Sequence, residues 1–104
     1  MNLTSKQRAY LRGLGNGIDP VLQIGKDGVT PEVTAAAAES FNTRELAKFS
    51  VLKNCDGDVR EAAEMLADRT RSTLVCVTGR RFILYKPFPE KPEIVLPKVS
   101  SGKQ

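Results

Sequence analysis

The residues best suited to binding a ligand lie in one short segment, residues 24–31, which has the sequence IGKDGVTP. Gly25 and Gly28 carry no Cβ atoms, so a ligand can closely approach the main chain between them. Lys26 adds a cation between the two glycines. The segment therefore predicts a loop that contacts a phosphate group, and a simple turn without a ligand is the alternative.

The residues after this loop predict the start of a helix. Thr30 is a favourable N-cap, and Pro31 suits the first helical position because the amide it lacks would have no partner within the helix. The free amides and positive dipole end of such a helix attract an anion. Asp27 and Glu32 oppose a phosphate at the same place, so the predicted anion site is weaker than that of a Walker-type loop.

A second basic feature lies in the first helix, which we predict over residues 4–14. Thr4 and Gln7 have the spacing of a capping box. Leu3, Tyr10, Leu11 and Leu14 fall on one apolar stripe, which predicts that they face the core. Arg8 and Arg12 are four residues apart on the opposite face, where two neighbouring cations repel each other unless an anion lies between them. An ordinary solvated helix face is the alternative interpretation.

The rest of the chain alternates between the strand and helix periods. The Gly-rich connection at residues 13–17 ends the first helix, and residue 42 ends the second. Residues 58 and 61 have the capping-box spacing at the start of a third helix, whose outer face is acidic. Gly79 and Arg80 are predicted to turn a hairpin with Arg80 and Arg81 at its tip. The predicted strands are residues 21–24, 46–52, 73–78 and 82–86, and residues 94–96 or the first helix should cover part of the second sheet face.

Composition limits the classes of function. Sixteen Lys and Arg residues against twelve Asp and Glu give a net charge of +4, which favours a polyanionic partner. The chain has no histidine and no GKS or GKT sequence. Its carboxylates Asp56 and Asp58 are explained by a turn and a helix cap, so no general base, metal site or activated nucleophile can be assembled. We therefore expect a non-enzymatic protein without a cofactor or metal.

The 104 residues suffice for one domain, here residues 1–97, followed by a disordered tail at residues 98–104. Cys55 and Cys76 are too few for a disulfide framework and are expected in the core. No apolar stretch approaches 18 residues and no signal-peptide pattern is present, so we expect a soluble cytoplasmic protein, without membrane association, that is monomeric.

The chain resembles the CRM domain family, named for chloroplast RNA splicing and ribosome maturation, in its stand-alone bacterial form. The resemblance covers nearly the whole chain, to about residue 97, and departs from the family pattern at Gly15-Asn16-Gly17, where the family usually has Ala-His. It is carried by Leu3-Thr4, Lys6-Gln7-Arg8, Leu11-Arg12, Pro20, Ile24-Gly25-Lys26, Gly28-Val29-Thr30, Gly79-Arg80 and Ile83-Leu84-Tyr85-Lys86-Pro87.

The resemblance implies an α+β fold, a two-layer α/β sandwich similar to the C-terminal domain of translation initiation factor 3. Its mixed four-stranded sheet would have the order 1-2-4-3, with strand 4 antiparallel, and three helices. The resemblance also implies binding to ribosomal RNA in precursors of the large ribosomal subunit, as an assembly factor. The implied RNA-binding residues are Lys6, Arg8, Arg12, Gly25, Lys26, Asp27, Gly28 and Thr30.

Two further hypotheses concern a protein partner in place of RNA and the stacking of RNA bases on aromatic residues. A protein-interaction module that meets the ribosome through protein partners, with no small-molecule substrate, is the alternative to RNA binding. Tyr10, Phe82 and Tyr85 could stack on bases, but their periodicity predicts core positions.

Overall fold

The computed structural model describes residues 2–55 and 57–97. The turn predicted at Asp56 and the tail predicted at residues 98–104 lie partly or wholly outside these residues. Within the described part of the chain, helices and strands alternate before a final pair of strands. The elements are α1 (Ser5–Gly15), β1 (Pro20–Ile24), α2 (Pro31–Ser40), β2 (Leu46–Val51), α3 (Val59–Thr70), β3 (Thr73–Thr78) and β4 (Arg81–Tyr85).

The four strands form one mixed sheet in the order β1-β2-β4-β3, as predicted. β1 and β2 are parallel, because α2 carries the chain back between them. β4 is antiparallel to both β2 and β3. β2 and β4 therefore occupy the centre, and β1 and β3 form the two edges of the sheet.

One face of the sheet packs against α2 and α3 and forms the larger hydrophobic core. Alternate residues of the central strands point into it, among them Phe49 and Phe82, whose rings stack with centroids 5.2 Å apart. Small residues on the helices, including Ala37 and Ala63, are fully buried and allow close packing on the sheet. The sheet and these two helices form the predicted α/β sandwich.

The other face is covered in part by α1 and by the segment after β4, as predicted. Leu11 of α1 is fully buried in a second cluster with Ile83 and Tyr85. Ile94 and Leu96 pack against the same cluster. Helix α1 lies so close to the sheet at Gly15 that a Cβ atom there would overlap the Ile83 side chain. Gly15 is the last residue of α1, whereas the sequence predicted only a helix-ending connection there.

The helix caps follow the sequence closely. Both arms of the Thr4–Gln7 capping box are formed at α1. At α3, Asp58 accepts a hydrogen bond from Arg60 N at 3.2 Å, but the described residues do not form the reciprocal bond predicted from Glu61.

The prediction that the apolar stripe of α1 faces the core is only partly confirmed. Tyr10 and Leu14 are 43% and 40% exposed. They lie away from the line of contact at Leu11 and Gly15, because α1 touches the sheet along a narrow strip. Phe82 and Tyr85 are buried, as predicted, and Cys55 and Cys76 are half-buried against the two clusters.

A buried carboxylate fixes the segment that covers the second face. Glu45 is 3% exposed, and its oxygens accept hydrogen bonds from Phe88 N at 2.6 Å, Glu93 N at 2.9 Å and Ile94 N at 2.6 Å. Burial raises the pKa of Tyr85, and the charge of Glu45 raises that pKa further. Because three amides converge on it, one side chain holds the whole turn after β4 against the sheet.

We expect Glu45→Gln to lower the free energy of unfolding by about 1–3 kcal/mol. A glutamine amide has one accepting oxygen, and its NH2 group cannot accept, so at least one of the three amides loses its partner. Urea unfolding measures the change. Glu39→Gln, on the exposed side of α2, is the control and should change stability by less than about 0.5 kcal/mol. Equal losses in the two variants would contradict this account of Glu45.

Candidate nucleic-acid interface

The sheet topology brings the predicted loop and the hairpin turn to one end of the molecule. Because β1 and β2 are parallel, the loops that follow them leave the same end of the sheet. The turn between β3 and β4 lies at that end too, since Arg81 pairs with Ser50 near the end of β2. Leu52 N donates to Ile24 O at 2.8 Å and so fixes the start of the loop.

The segment from Gly25 to Thr30 is an ordered turn followed by a helix cap. Gly28 N donates to Gly25 O at 3.0 Å, and Gly28 has φ of 70°, a left-handed conformation that favours glycine. Thr30 N donates to Gly28 O at 3.1 Å. The Thr30 hydroxyl accepts from Val33 N at 3.1 Å, which confirms Thr30 as the N-cap of α2.

The tip of this loop presents backbone donors to solvent. Lys26 and Asp27 are exposed, and no other group of the described chain takes up their backbone N–H groups. A Cβ atom at Gly25 would meet Leu52 Cδ1 at 3.8 Å, an ordinary van der Waals contact, so an added methyl group would fit without displacing its neighbours. The backbone N–H groups of Lys26 and Asp27 are without a partner in the described part of the chain.

The side of the loop that faces α3 is acidic. A cleft of about 370 Å³ between them is lined by Asp27, Asp58 and Glu61, with Arg69 as its one cation among the described residues. The Arg69 guanidinium donates to Val29 O at 3.0 Å and so holds the loop against α3. A polyanion is repelled on this side, so it must approach the loop from elsewhere.

One predicted cation of α1, Arg8, does not lie beside the loop. Arg8 is half-buried, and its guanidinium donates to Leu74 O at 2.7 Å and Val75 O at 2.5 Å, so the expectation of a solvated side chain was wrong. This contact covers carbonyl groups of the edge strand β3, which is irregular between Leu74 and Cys76. Arg12 is exposed in the last turn of α1, and Lys6 is exposed in its first turn.

The eight predicted site residues therefore fall into two groups. Five lie in the loop after β1, at one edge of the sheet, and three lie on α1, where Arg8 contacts the opposite edge. Three strand spacings, about 14 Å, separate the two edges. Arg8 is therefore separated from the loop residues by the width of the sheet.

The two arginines predicted at the hairpin tip have different environments. Arg80 donates to Val51 O at 3.0 Å and to Leu52 O at 2.5 Å, so it fastens the turn to the end of β2. Arg81 is not at the tip: it is the first residue of β4, paired with Ser50 and Thr78, and its side chain is exposed. The tip prediction was wrong for Arg81.

Lys48 is a further cation that the sequence analysis did not single out. It lies on β2, and together with Arg81 it lines a cleft of about 140 Å³ on the α1 face of the sheet. The alternation of β2 carried the signal, because Lys48 and Ser50 fall on the face opposite Ala47, Phe49 and Val51.

The described residues contain no cluster of three or more His, Cys, Asp or Glu that could hold a metal ion. Nor does the described part of the chain contain a helix long and apolar enough to cross a membrane.

A mixed sheet of this order, with a glycine-bracketed loop entering a helix, defines a small α+β domain. Residues 3–86 match the model of the CRS1 / YhbY (CRM) domain. The chain belongs to this family.

Relatives of similar length carry names that refer to RNA. The probable RNA-binding protein YqeI of Bacillus subtilis (strain 168) is 41% identical over 95 residues, which cover 91% of this chain and 99% of that protein. An RNA-binding protein of Haemophilus influenzae is 31% identical over 92% of this chain and 96% of its own length. The solution structure of the hypothetical protein SAV1595 from Staphylococcus aureus, described as a candidate RNA-binding protein, superposes with a TM-score of 0.79. The two sequences are 43% identical, and the match covers 92% of this chain and 100% of the SAV1595 chain.

The two glycines of the loop should respond differently to alanine. Gly28→Ala should lower the free energy of unfolding by about 1–2 kcal/mol, because an L-residue is strained at positive φ. Gly25→Ala should change it by less than about 0.5 kcal/mol, because its Cβ atom meets only an ordinary contact. Urea unfolding of both variants tests this difference. A loss at Gly25 as large as that at Gly28 would contradict the described loop geometry.

Proposed function

We propose that this protein binds ribosomal RNA in precursors of the large ribosomal subunit and acts there as an assembly factor. The observation that carries the proposal is the loop tip, where unpaired backbone amides, Lys26 and the start of α2 are held ready for a phosphate. Membership in a family whose relatives are named RNA-binding proteins supports it. The target RNA and the assembly step come from the family resemblance.

The binding mechanism that we propose uses the sugar-phosphate backbone. The amides and cation of the loop contact phosphates, and Arg12 and Lys6 on α1 add positive charge. We propose that the protein acts as a cytoplasmic monomer without catalytic turnover. Tyr10 on α1 is exposed, so its ring is available to stack on a base.

Lys26→Ala tests the loop directly. If Lys26 contacts a phosphate, the slope of log K against log salt should become shallower by about 0.7–0.9. Stability should change by less than about 0.5 kcal/mol, because the side chain is exposed at a turn. Titration of a structured ribosomal RNA fragment at several salt concentrations, with urea unfolding alongside, measures both quantities.

Lys91→Ala is the matched control, because it removes the same charge from the exposed segment after β4, beyond the opposite end of the sheet. It should leave the salt slope unchanged.

Gly25→Ala should weaken RNA binding without loss of stability, since its added methyl group blocks close approach to the main chain. Wild-type affinity in both loop variants would refute the proposed site. Binding to RNA-free ribosomal proteins, unaffected by salt, would instead support the protein-interaction alternative. Crosslinking in cells followed by sequencing of the attached RNA identifies the target.

A further inference from the structure

Part of the sheet face that carries α1 is left open near the loop. Helix α1 ends at Gly15, above Ile83, and the segment that Glu45 holds covers the other end of the face. Beyond the helix end lies the cleft of about 140 Å³, whose polar lining is Asn16, Lys48, Thr78 and Arg81.

A row of polar residues crosses this open region over all four strands. Gln23 of β1 pairs with Ser50 of β2, Ser50 pairs with Arg81 of β4, and Arg81 pairs with Thr78 of β3. The row is about 14 Å wide, given three strand spacings. It begins at Gln23, two residues before the loop glycine Gly25, and it ends at Thr78, the last residue of β3. Arg8 contacts carbonyl groups nearer the start of the same strand. The row therefore extends from the loop to the edge strand that α1 also contacts.

The charge of this region is positive and unpaired. Lys48 and Arg81 form no ion pair and no side-chain hydrogen bond with the described residues, and no carboxylate lines the cleft. The opposite side of the loop carries three carboxylates, and its arginine is already hydrogen-bonded to Val29 O. A polyanion that contacts the loop tip is therefore repelled by the α3 side and attracted by the open sheet face.

We infer that an RNA strand bound at the loop continues as a single strand across the open sheet face, with its phosphates on Lys48 and Arg81. This inference rests on the proposed RNA-binding function. Lys48 and Arg81 line one small cleft, so we expect them to hold phosphates of one strand and not of both strands of a duplex. The row carries no aromatic side chain, so we expect contacts to phosphates and sugars and no stacking of bases.

The test compares two RNA probes, a hairpin alone and the same hairpin with a single-stranded tail. We expect the wild-type protein to bind the tailed hairpin more tightly. The double variant Lys48→Gln with Arg81→Gln should lose this advantage, and its salt slope for the tailed probe should become shallower by about 1.4, or 0.7 for each lost single-strand contact. Its affinity for the tail-less hairpin should stay at the wild-type value. Lys26→Ala should weaken binding of both probes.

Two matched control variants test whether the position of the two charges matters or only their number. Lys91→Gln with Arg44→Gln removes the same two charge types from exposed positions away from the loop end, and it should keep the tail advantage. Lys48→Arg with Arg81→Lys keeps both charges and should also keep it. The melting temperature of every variant should match that of the wild type. If the double glutamine variant melts at a lower temperature, the tail advantage of Lys48→Arg with Arg81→Lys is compared with that of the wild type instead.

The outcomes distinguish this inference from the proposed function. If Lys26→Ala weakens binding but the double glutamine variant keeps the tail advantage, the strand does not cross the sheet face and the inference is overturned. Equal losses on the tailed and tail-less probes would also overturn it, because the contacts would then be to the duplex. If the wild-type protein binds neither probe, the proposed RNA-binding function itself fails.

Discussion

The end of β2 is the point on which the site depends. Four hydrogen bonds meet there: Val51 N donates to Arg80 O at 2.7 Å, Leu52 N donates to Ile24 O at 2.8 Å, and the Arg80 guanidinium donates to Val51 O at 3.0 Å and to Leu52 O at 2.5 Å. These bonds join the ends of β1, β2 and the β3–β4 turn, so the glycine loop and the hairpin cannot move apart without breaking them. The parallel pairing of β1 and β2 also brings the N-termini of α2 and α3 to this end, which makes it the electropositive end of two helix dipoles.

Several arginine side chains join elements of the fold by hydrogen bonds, and this changes how the net charge of +4 should be interpreted. Arg8, Arg69 and Arg80 each donate to backbone carbonyls of another element. A guanidinium suits this use because it has five donors and is weakly hydrated. A cation that already donates to the protein is less available to a phosphate, so the basic composition overstates the positive charge offered to a partner. The distribution of the remaining cations is more informative than their number.

The sequence predicted the elements well because the signals for them are local. The capping box at Thr4, the cap at Thr30 and the hairpin at Gly79 depend on neighbouring residues, and the structure confirms each. The sheet order came from the family resemblance, and it is confirmed too. The errors at Tyr10, Leu14 and Arg8 concern surfaces. Tyr10 has the right period for a buried stripe, but whether a stripe is covered depends on the width of the partner surface, which no local pattern contains.

The same limit of local patterns explains why only part of the candidate site was predictable from the sequence. The loop was recognisable because its glycines, its lysine and the helix start are adjacent in sequence. Lys48 and Arg81 are 33 residues apart and meet only through the pairing of β2 with β4. Their sequence signal is a polar residue inside an otherwise buried strand, which is also found wherever one sheet face is wet. It acquires meaning only once α1 and the segment held by Glu45 are seen to cover the rest of that face. The buried carboxylate of Glu45 thus bears indirectly on the site, because by fixing what is covered it determines what remains open to a ligand.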